Sequence, residues 1–169
     1  KADGISVAGI GIGNTSAYNS INPEASVQVG DNAALVAADL IINAYNNVEK
    51  PWLSGGEYNV QSKSGALLDI PATKSETIII NDAIINIGQN AAMIVTGSIS
   101  NPGQFAINAY NMVSARDQAK LENGGLIAAT DAHSIINSTG NAIVQIGKGA
   151  ILASVGDIHL TTRDRQDIT

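Results

Sequence analysis

Five aspartates are the side chains most suited to acid–base chemistry: Asp31, Asp39, Asp82, Asp131 and Asp157. Enzymes that cleave polysaccharides hold two or three carboxylates close together, often beside a Lys or Arg. The chain contains three copies of one sequence pattern, described below. Asp39 and Asp157 occupy equivalent positions in the first and third copies, so we do not expect them to be adjacent. Asp31 has Gln89 and Lys148 at its equivalent positions. We therefore interpret these aspartates as turn residues and predict no catalytic residue.

The two histidines, His133 and His159, are the other candidates for metal or proton chemistry. Asp131 and His133 are two positions apart, so in a strand both would face the same side and a metal ion could bind there. No third ligand is evident, and no calcium-binding Asp loop occurs. Alternation places His159 outward, next to solvent. We predict no metal and no cofactor.

Three aromatic side chains are candidates for contact with a partner. Tyr45 and Tyr110 occupy equivalent positions in a repeated Ile-Asn-Ala-Tyr-Asn sequence, and Trp52 follows in a polar segment. An exposed aromatic ring can stack on a sugar or pack against a protein. The alternatives are that Trp52 folds back over the body of the protein and that the tyrosines anchor loops. We propose Trp52, Tyr45 and Tyr110 as possible contacts to a host-surface protein or glycan.

The composition excludes several classes of partner. The chain has 169 residues, a net charge of -6 and no cysteine, which excludes disulfides and thiolate metal sites. A negative chain without basic clusters is not typical of nucleic-acid binding or of attraction to anionic membranes. No apolar stretch is long enough to span a bilayer. Aromatic residues are 4% against 44% hydrophobic, so Ile, Val, Ala and Leu must form the core.

One sequence pattern occurs three times. Each copy places a glycine after two alternating apolar residues, and these glycines, Gly30, Gly88 and Gly147, recur at nearly equal intervals along the chain. The repeat cores span 25–46, 83–111 and 142–162, and align Leu40 with Ile99 and Ile158. We predict that the glycines form corners and that the apolar residues form the core. The predicted core residues are Val27, Val29, Leu35, Ile85, Ile87, Met93, Val144, Ile146 and Leu152.

Repetition of short strands with Gly and Asn corners is typical of a parallel β-solenoid. The first copy reads as three strands, 26–29, 33–37 and 39–45. A coil of this kind takes roughly 20–25 residues, which predicts about seven coils in an all-β chain. We expect 1–169 to be a single solenoid segment, part of a longer repetitive chain. The polar segments 47–54 and 114–123 are expected to be loop excursions, the second with a short helix over 115–121.

Two runs carry a family resemblance: ASVQVGDNAALVAADLIINAYN at 25–46 and NAIVQIGKGAILASVGDIHLTTRD at 141–164. They resemble the repeats of very large filamentous adhesins of Gram-negative bacteria, the leukotoxin-type and filamentous-haemagglutinin-like exoproteins. The resemblance implies a right-handed parallel β-helix, secretion or display at the cell surface, and a role in adhesion and virulence. It implies no catalytic residue. The middle copy departs from the pattern over 97–106, where an irregular coil is expected.

These observations predict a non-enzymatic segment of an extracellular bacterial filament or giant surface adhesin that attaches to host cells, surfaces or other cells. Its expected partners are neighbouring repeats of the same chain or identical subunits end to end. No nucleic acid and no membrane insertion by this segment are expected. One alternative is a carbohydrate-active β-helix, either a lyase or hydrolase or a glycan-binding module. Another is a self-assembling fibre subunit that stacks end to end.

Overall fold

The computed structural model describes residues 2–6, 9–54 and 57–169, and its regular elements are β-strands. The described residues contain no α-helix, and therefore none long and apolar enough to cross a membrane. The predicted segment 1–169 also includes residues 1, 7, 8, 55 and 56, which lie outside the described residues. The all-β prediction is confirmed for the described residues.

The strands follow one another in three successive segments of the chain, which we call tiers. Tier one comprises β1 (Ala2–Ser6), β2 (Ile10–Ile21), β3 (Glu24–Val29), β4 (Ala34–Ala37) and β5 (Leu40–Lys50). Tier two comprises β6 (Val60–Ser64), β7 (Leu68–Ile87), β8 (Ala92–Val95) and β9 (Phe105–Ala115). Tier three comprises β10 (Ala119–Asn123), β11 (Ile127–Ala128), β12 (Asp131–Ile146), β13 (Ile151–Ser154) and β14 (Ile158–Ile168).

Four separate parallel sheets are built from these strands, and tier two lies in the middle of each. Sheet 1 has the order β1-β6-β10, and sheet 3 has the order β4-β8-β13. Sheet 2 places β7 between β2 and β3 on one side and β11 and β12 on the other. Sheet 4 has the order β5-β9-β14. The three tiers therefore contribute to the sheets in the same sequence, and the prediction of parallel pairing is confirmed.

The prediction of about seven short coils is wrong. Strand partners are separated by a whole tier of sequence, as Val29 is from Ile87 and Ile87 is from Ile146. That separation is more than twice the length of the coil that the sequence predicts. The difference comes from β7, which continues for 20 residues without a corner. Pro71 and the polar residues at alternate positions of its first half lie within the strand and pair in register, so each sheet has strands from only three tiers.

The two predicted loop excursions are wrong in part, over half of 47–54 and over most of 114–123. Residues 47–50 belong to β5, and 119–123 form β10 instead of part of a helix. Both segments are polar, and alternation of polar residues is compatible with a strand whose two faces are polar. The described tiers therefore have fewer loops than the sequence predicts.

Tier two accommodates an insertion without losing its pairing. Phe105, rather than the aligned Ile99, is the partner of both Leu40 and Ile158. Residues 96–104 form a projecting turn in which Ser98 and Asn101 exchange backbone hydrogen bonds, and Ile99 at its tip is 97% exposed. The turn absorbs the extra residues, so β9 remains in register with β5 and β14.

The apolar interior lies between sheets 2, 3 and 4. Ile85, Ile87, Met93 and Val29 are buried there as predicted. The partly buried predicted residues that pack against this core are Val27, Leu35, Val144 and Leu152. Ile146 is wrong as a core residue, because it is 44% exposed. It is the register partner of the buried Ile87, but it belongs to β12, whose other edge pairs with no described strand.

A second part of the interior is polar, which the sequence analysis did not predict. Ser75, Thr77 and Asn81 of β7 are fully buried, and so is Asn111 of β9. These β7 side chains alternate with outward residues and point to the same side as the apolar residues later in β7. Columns of Ile, Val, Leu and Ala therefore fill only part of the space between the sheets.

The three glycines occupy corners, as predicted. Gly30, Gly88 and Gly147 directly follow the ends of β3, β7 and β12. A Cβ atom on Gly88 would lie 2.5 Å from the backbone nitrogen of Asp31, and one on Gly147 would lie 2.6 Å from the carbonyl carbon of Gly88. Glycine at these positions lets consecutive tiers approach closely at the corner.

Candidate functional site

The outer surface of sheet 4 carries the most distinctive set of exposed side chains. Alternate residues of β5 are exposed, and the register brings them beside equivalent residues of β9 and β14. We call this surface the ladder face. Its residues are Asn43, Tyr45, Asn47 and Glu49 of β5, Asn108, Tyr110, Met112 and Ser114 of β9, and Thr161, Arg163, Arg165 and Asp167 of β14.

Two of the predicted contact residues are neighbours on the ladder face. Tyr45 pairs in register with Tyr110, and Tyr110 pairs with Arg163. Tyr45 is 56% exposed, and its hydroxyl lies 3.7 Å from the Met112 sulfur. Side chains opposite each other on neighbouring strands stand about 5 Å apart, so the two phenol rings can form one aromatic platform. Such a platform can stack on the apolar face of a sugar ring or on a protein side chain.

Amide side chains adjoin the platform. The Asn108 side-chain nitrogen donates a hydrogen bond of 2.9 Å to the Asn43 side-chain oxygen. Each of these amides retains further hydrogen-bonding capacity, since an Asn side chain has two N–H donors and an acceptor oxygen. The ladder face thus combines an aromatic surface with planar polar groups, a combination that suits hydroxyl-rich or peptide ligands.

A groove of about 370 Å³ runs across the ladder face, bordered by Tyr45, Glu49, Met112, Arg165 and Asp167. This volume is at the lower end of the range for small-molecule sites, roughly 300–1,000 Å³. Residues from all three tiers form its walls, so the groove depends on the register between tiers rather than on any single loop.

Positive charge without an ion-pair partner also lies on the ladder face. Within the described part of the chain, Arg163 and Arg165 form no ion pair and are exposed. Asp167 is paired with Arg116 at 3.2 Å. In a chain of net charge -6, two guanidinium groups without an ion pair therefore share this face with the tyrosines and with the carboxylate of Glu49. An anionic or hydroxyl-bearing group could approach these guanidinium groups directly.

Trp52 is not part of the ladder face. It follows the end of β5 and is 42% exposed. The structure therefore brings together Tyr45 and Tyr110 and leaves the third predicted contact residue beyond the strand.

Three of the five candidate aspartates link neighbouring tiers. The backbone N–H groups of Gln89 and Gln104 donate hydrogen bonds of 2.7 Å to the carboxylates of Asp31 and Asp39. The Asn141 side chain donates at 2.8 Å to Asp82. Each carboxylate satisfies a group of the following tier. Asp31 and Asp39 lie at corners between strands, as predicted, but the interpretation of Asp82 as a turn residue is wrong, because Asp82 lies within β7.

Asp131 and His133 lie on one exposed side of β12, with 2.8 Å between the carboxylate and His133 Nε2. Across residues 2–6, 9–54 and 57–169, no group of three or more His, Cys, Asp or Glu side chains is placed to hold a metal ion. His159 is exposed on β14, as alternation predicts. The absence of a metal site remains a prediction.

The structure contains a buried ion pair that the sequence analysis missed. Lys50 Nζ lies 3.1 Å from the Asp117 carboxylate, which is buried. Ser75 Oγ donates to the same carboxylate at 2.7 Å, and Thr77 Oγ1 donates to it at 3.3 Å. Lys50 also donates to Thr77 Oγ1 at 3.0 Å. The cluster joins tier one to the residues between β9 and β10, and its carboxylate is fully hydrogen-bonded, as a structural group requires.

The only sequence signal for this cluster is the polar alternation in β7. Ser75 and Thr77 are two positions apart, so they share a face, and the long register with β2 and β12 puts that face inside. Asp69 is buried on the same side and accepts a hydrogen bond of 2.5 Å from Ser64 Oγ. Polar residues at period two predict an exposed strand by default, which is why these residues were not identified.

A further charged group lies on the outside of sheet 1. Glu122 contacts Lys120 and lies 3.0 Å from Lys63. The hydrogen bond from Lys120, together with that from Lys63, lowers the pKa of Glu122, and the same contact raises the pKa of Lys120. All three side chains are accessible to solvent, so the group is a surface ion pair of small energetic weight.

No protein-family model, no curated protein and no solved structure matches this chain.

Proposed function

We propose that this chain is a structural and adhesive segment of an extracellular bacterial filament or giant surface adhesin. In this proposal the segment attaches the bacterium to host cells, surfaces or other cells and performs no catalysis. The observation that carries it is the in-register repetition of tiers, in which each tier adds one layer of strands to the sheets. Repetition along one axis suits a long presenting surface, since each repeat contacts only its neighbours.

The proposed architecture is a right-handed parallel β-helix with three wide coils. Each tier visits sheets 1, 2, 3 and 4 in the same order before the next tier begins. Corresponding residues stand beside one another, as Val29, Ile87 and Ile146 do. The handedness follows from the resemblance to filamentous adhesins. A coil that takes up a whole tier is much wider than the short coil that the sequence predicts.

An extracellular site at the surface of a Gram-negative bacterium is part of the proposal. It rests on the resemblance of 25–46 and 141–164 to the adhesin repeats. The chain has no cysteine, which is compatible with export through an oxidising periplasm without trapped disulfides. Immunogold labelling of thin surface filaments with an antibody to this chain is the expected result in cells that produce it.

The ladder face is the proposed contact surface for a host-surface protein or glycan. Its aromatic pair, Asn amides and unpaired arginines can all reach a ligand laid along the sheet. An oligosaccharide is the occupant that the groove beside Tyr45 favours, because sugar rings pair an apolar face with a hydroxyl rim. This supports the glycan-binding form of the carbohydrate-active alternative. The lyase or hydrolase form has less support, because Asp31, Asp39 and Asp82 are each engaged between tiers.

Adhesion assays on host cells and on glycan arrays test the contact surface. We expect the double substitution Tyr45→Ala and Tyr110→Ala to reduce binding about tenfold or more, because aromatic anchors dominate such contacts. The matched control is Tyr18→Ala, since Tyr18 is 63% exposed but lies on sheet 2. Equal binding by the double variant and the parent would contradict the assignment of the ladder face.

A further inference from the structure

Tier three exposes apolar side chains whose register partners in tier two are buried. Ile146 is 44% exposed, whereas Ile87 beside it is 3% exposed. Leu160 is 48% exposed, whereas Ile107 beside it is fully buried. In the described part of the chain, β12 and β14 each pair on one edge only. Their second edges therefore present both unpaired backbone groups and apolar side chains.

We propose that a second copy of this chain docks its tier one on tier three, head to tail, and extends sheets 2, 3 and 4 by parallel pairing. The proposal rests on the stacked tiers described above and does not depend on the adhesive role. It follows from three properties of the two edges: matched apolar columns, complementary charges, and a geometry that repeats without closing.

The apolar columns match when tier one of the second copy pairs with tier three in the same register that joins one tier to the next within the molecule. Ile146 then faces Val29 of the second copy, and Val144 faces Val27 of the second copy. In sheet 4, Leu160 faces Ile42 of the second copy. The same residue types already stack between tiers one and two, where Val29 lies beside Ile87 and Ile42 beside Ile107. The new contacts would therefore reproduce packing that the molecule already contains.

Most of the unpaired charges on the two edges are complementary, although tier three also carries, within the described part of the chain, two carboxylates without an ion pair, Asp157 and Asp164. Among the described residues, the cations without an ion pair are Lys148, Arg163 and Arg165, and all three lie in tier three. Tier one carries carboxylates without an ion pair, and these are Glu24, Asp31, Asp39 and Glu49.

In this register, particular charged side chains of tier three lie beside oppositely charged side chains of the second copy. Lys148 occupies the corner that Asp31 occupies in tier one, so Lys148 meets Asp31 of the second copy. Arg165 lies diagonally across from Glu49 of the second copy, within reach of long side chains. Asp167 faces the same glutamate, but Arg116 already neutralises Asp167 at 3.2 Å. Complementary charges of this kind fix the partner and the direction of docking.

The corner before β14 places two carboxylates opposite each other, because Asp157 then faces Asp39 of the second copy. Within the molecule, Asp39 occupies the equivalent corner and accepts the backbone N–H of Gln104 from the next tier. Asp157 can accept the backbone N–H of Asp39 of the second copy in the same way. The contact therefore repeats a hydrogen bond that the stack already uses, and it offsets the like charges at that corner.

A head-to-tail contact leaves one binding surface free at each end of the assembly. The surface of tier three that binds one copy differs from the surface of tier one that it binds, so each added copy again presents a free tier three. Tiers add along one axis, and the expected product is a linear stack. The ladder face continues along that stack without a change of register.

Sedimentation velocity of the 169-residue chain over a wide range of concentration tests the proposal. We expect the weight-average mass to rise with concentration. Lys148→Glu alone, or Asp31→Lys alone, places like charges at the junction and raises the concentration for half-maximal association by about tenfold or more. An equimolar mixture of the two variants restores association, because each junction then joins opposite charges.

Three controls keep the outcome decisive. Thermal unfolding of each variant shows whether it folds, since Asp31 also accepts a hydrogen bond from Gln89. If Asp31→Lys does not fold, Arg165→Glu and Glu49→Arg replace the pair in the same mixing scheme. Tyr110→Ala alone should leave association unchanged, because Tyr110 lies in tier two, away from both junction edges, and this separates the proposal from the adhesive one. A chain that stays monomeric at all concentrations, or a mixture that does not recover, would overturn head-to-tail docking.

Discussion

At the scale of single residues, Asp117 and Asp31 show how position in the tiers sets the role of one side-chain type. Asp117 is buried and is held by Lys50, Ser75 and Thr77. Asp31 is exposed at a corner and accepts one hydrogen bond from the next tier. Because Asp117 is buried, its charge must be balanced by Lys50, whereas water stabilises the charge of Asp31.

This contrast gives a prediction for Asp117→Asn. The substitution leaves the Lys50 ammonium, which is mostly buried, without a counter-charge, so we expect the free energy of unfolding to fall by about 3 kcal/mol. Asp31→Asn is the matched control, and it should cost about 1 kcal/mol or less, because an exposed hydrogen bond is replaced by a weaker one. Urea denaturation measures both. Equal losses in the two variants would show that the Lys50–Asp117 pair does not stabilise the stack.

Residue type predicted the burial of some side chains but not of others. Ile85, Ile87 and Met93 were predicted to be buried because apolar residues at period two define a core face. Ile146 has the same pattern, but its exposure depends on whether a strand lies beyond β12, which the local sequence does not contain. Lys50 and Asp117 were placed at the surface because charged residues are rarely buried unless paired, and their partners are far away in sequence.

At the scale of elements, the corners were predictable and the long strands were not. Gly30, Gly88 and Gly147 follow β3, β7 and β12, and at the last two only glycine permits close approach of the neighbouring tier. The extent of β7 was missed because Pro71 interrupts the alternation of Leu68 and Ile70, and the inward positions that follow it are polar. Pairing between one tier and the next is set by stacking of whole tiers, and short-range periodicity carries no information about it.

The projecting turn of tier two contains a glycine that the fold requires. Gly103 has a positive φ of 74°, and a Cβ atom there would lie 2.1 Å from the carbonyl oxygen of Ala38. We expect Gly103→Ala to destabilise the protein by about 2 kcal/mol or more through backbone strain and this clash. Gly30→Ala is the control, since a Cβ atom there meets nothing within 4 Å. A thermal midpoint for Gly103→Ala equal to that of Gly30→Ala would contradict the packing of the turn on tier one.

At the scale of the whole molecule, the stack of tiers is the feature on which the other conclusions depend. It aligns Tyr45 with Tyr110 and places Asp31 beside Gln89, and it leaves the unpaired cations Lys148, Arg163 and Arg165 of the described residues in tier three. The repeat glycines predicted that three equivalent segments exist. Pairing between tiers shows that strand partners lie a whole segment apart in sequence, whereas the sequence favoured partners one short coil apart.

Cysteine cross-linking tests the wide stack most directly, because the chain contains no cysteine of its own. Asn43 and Asn108 are far apart in sequence, yet their side chains hydrogen-bond at 2.9 Å in sheet 4. Lys63 follows Asn43 by about the length of one short coil, so short coils would bring those two positions together. The two double variants are Asn43→Cys with Asn108→Cys, and Asn43→Cys with Lys63→Cys.

A disulfide requires Cα atoms within about 7 Å, so mild oxidation or a short thiol cross-linker reports which residues are neighbours. The wide stack predicts an intramolecular cross-link between positions 43 and 108 in the folded monomer and none between positions 43 and 63. A cross-link between 43 and 63, with none between 43 and 108, would contradict the three-tier arrangement and the contact surfaces that depend on it.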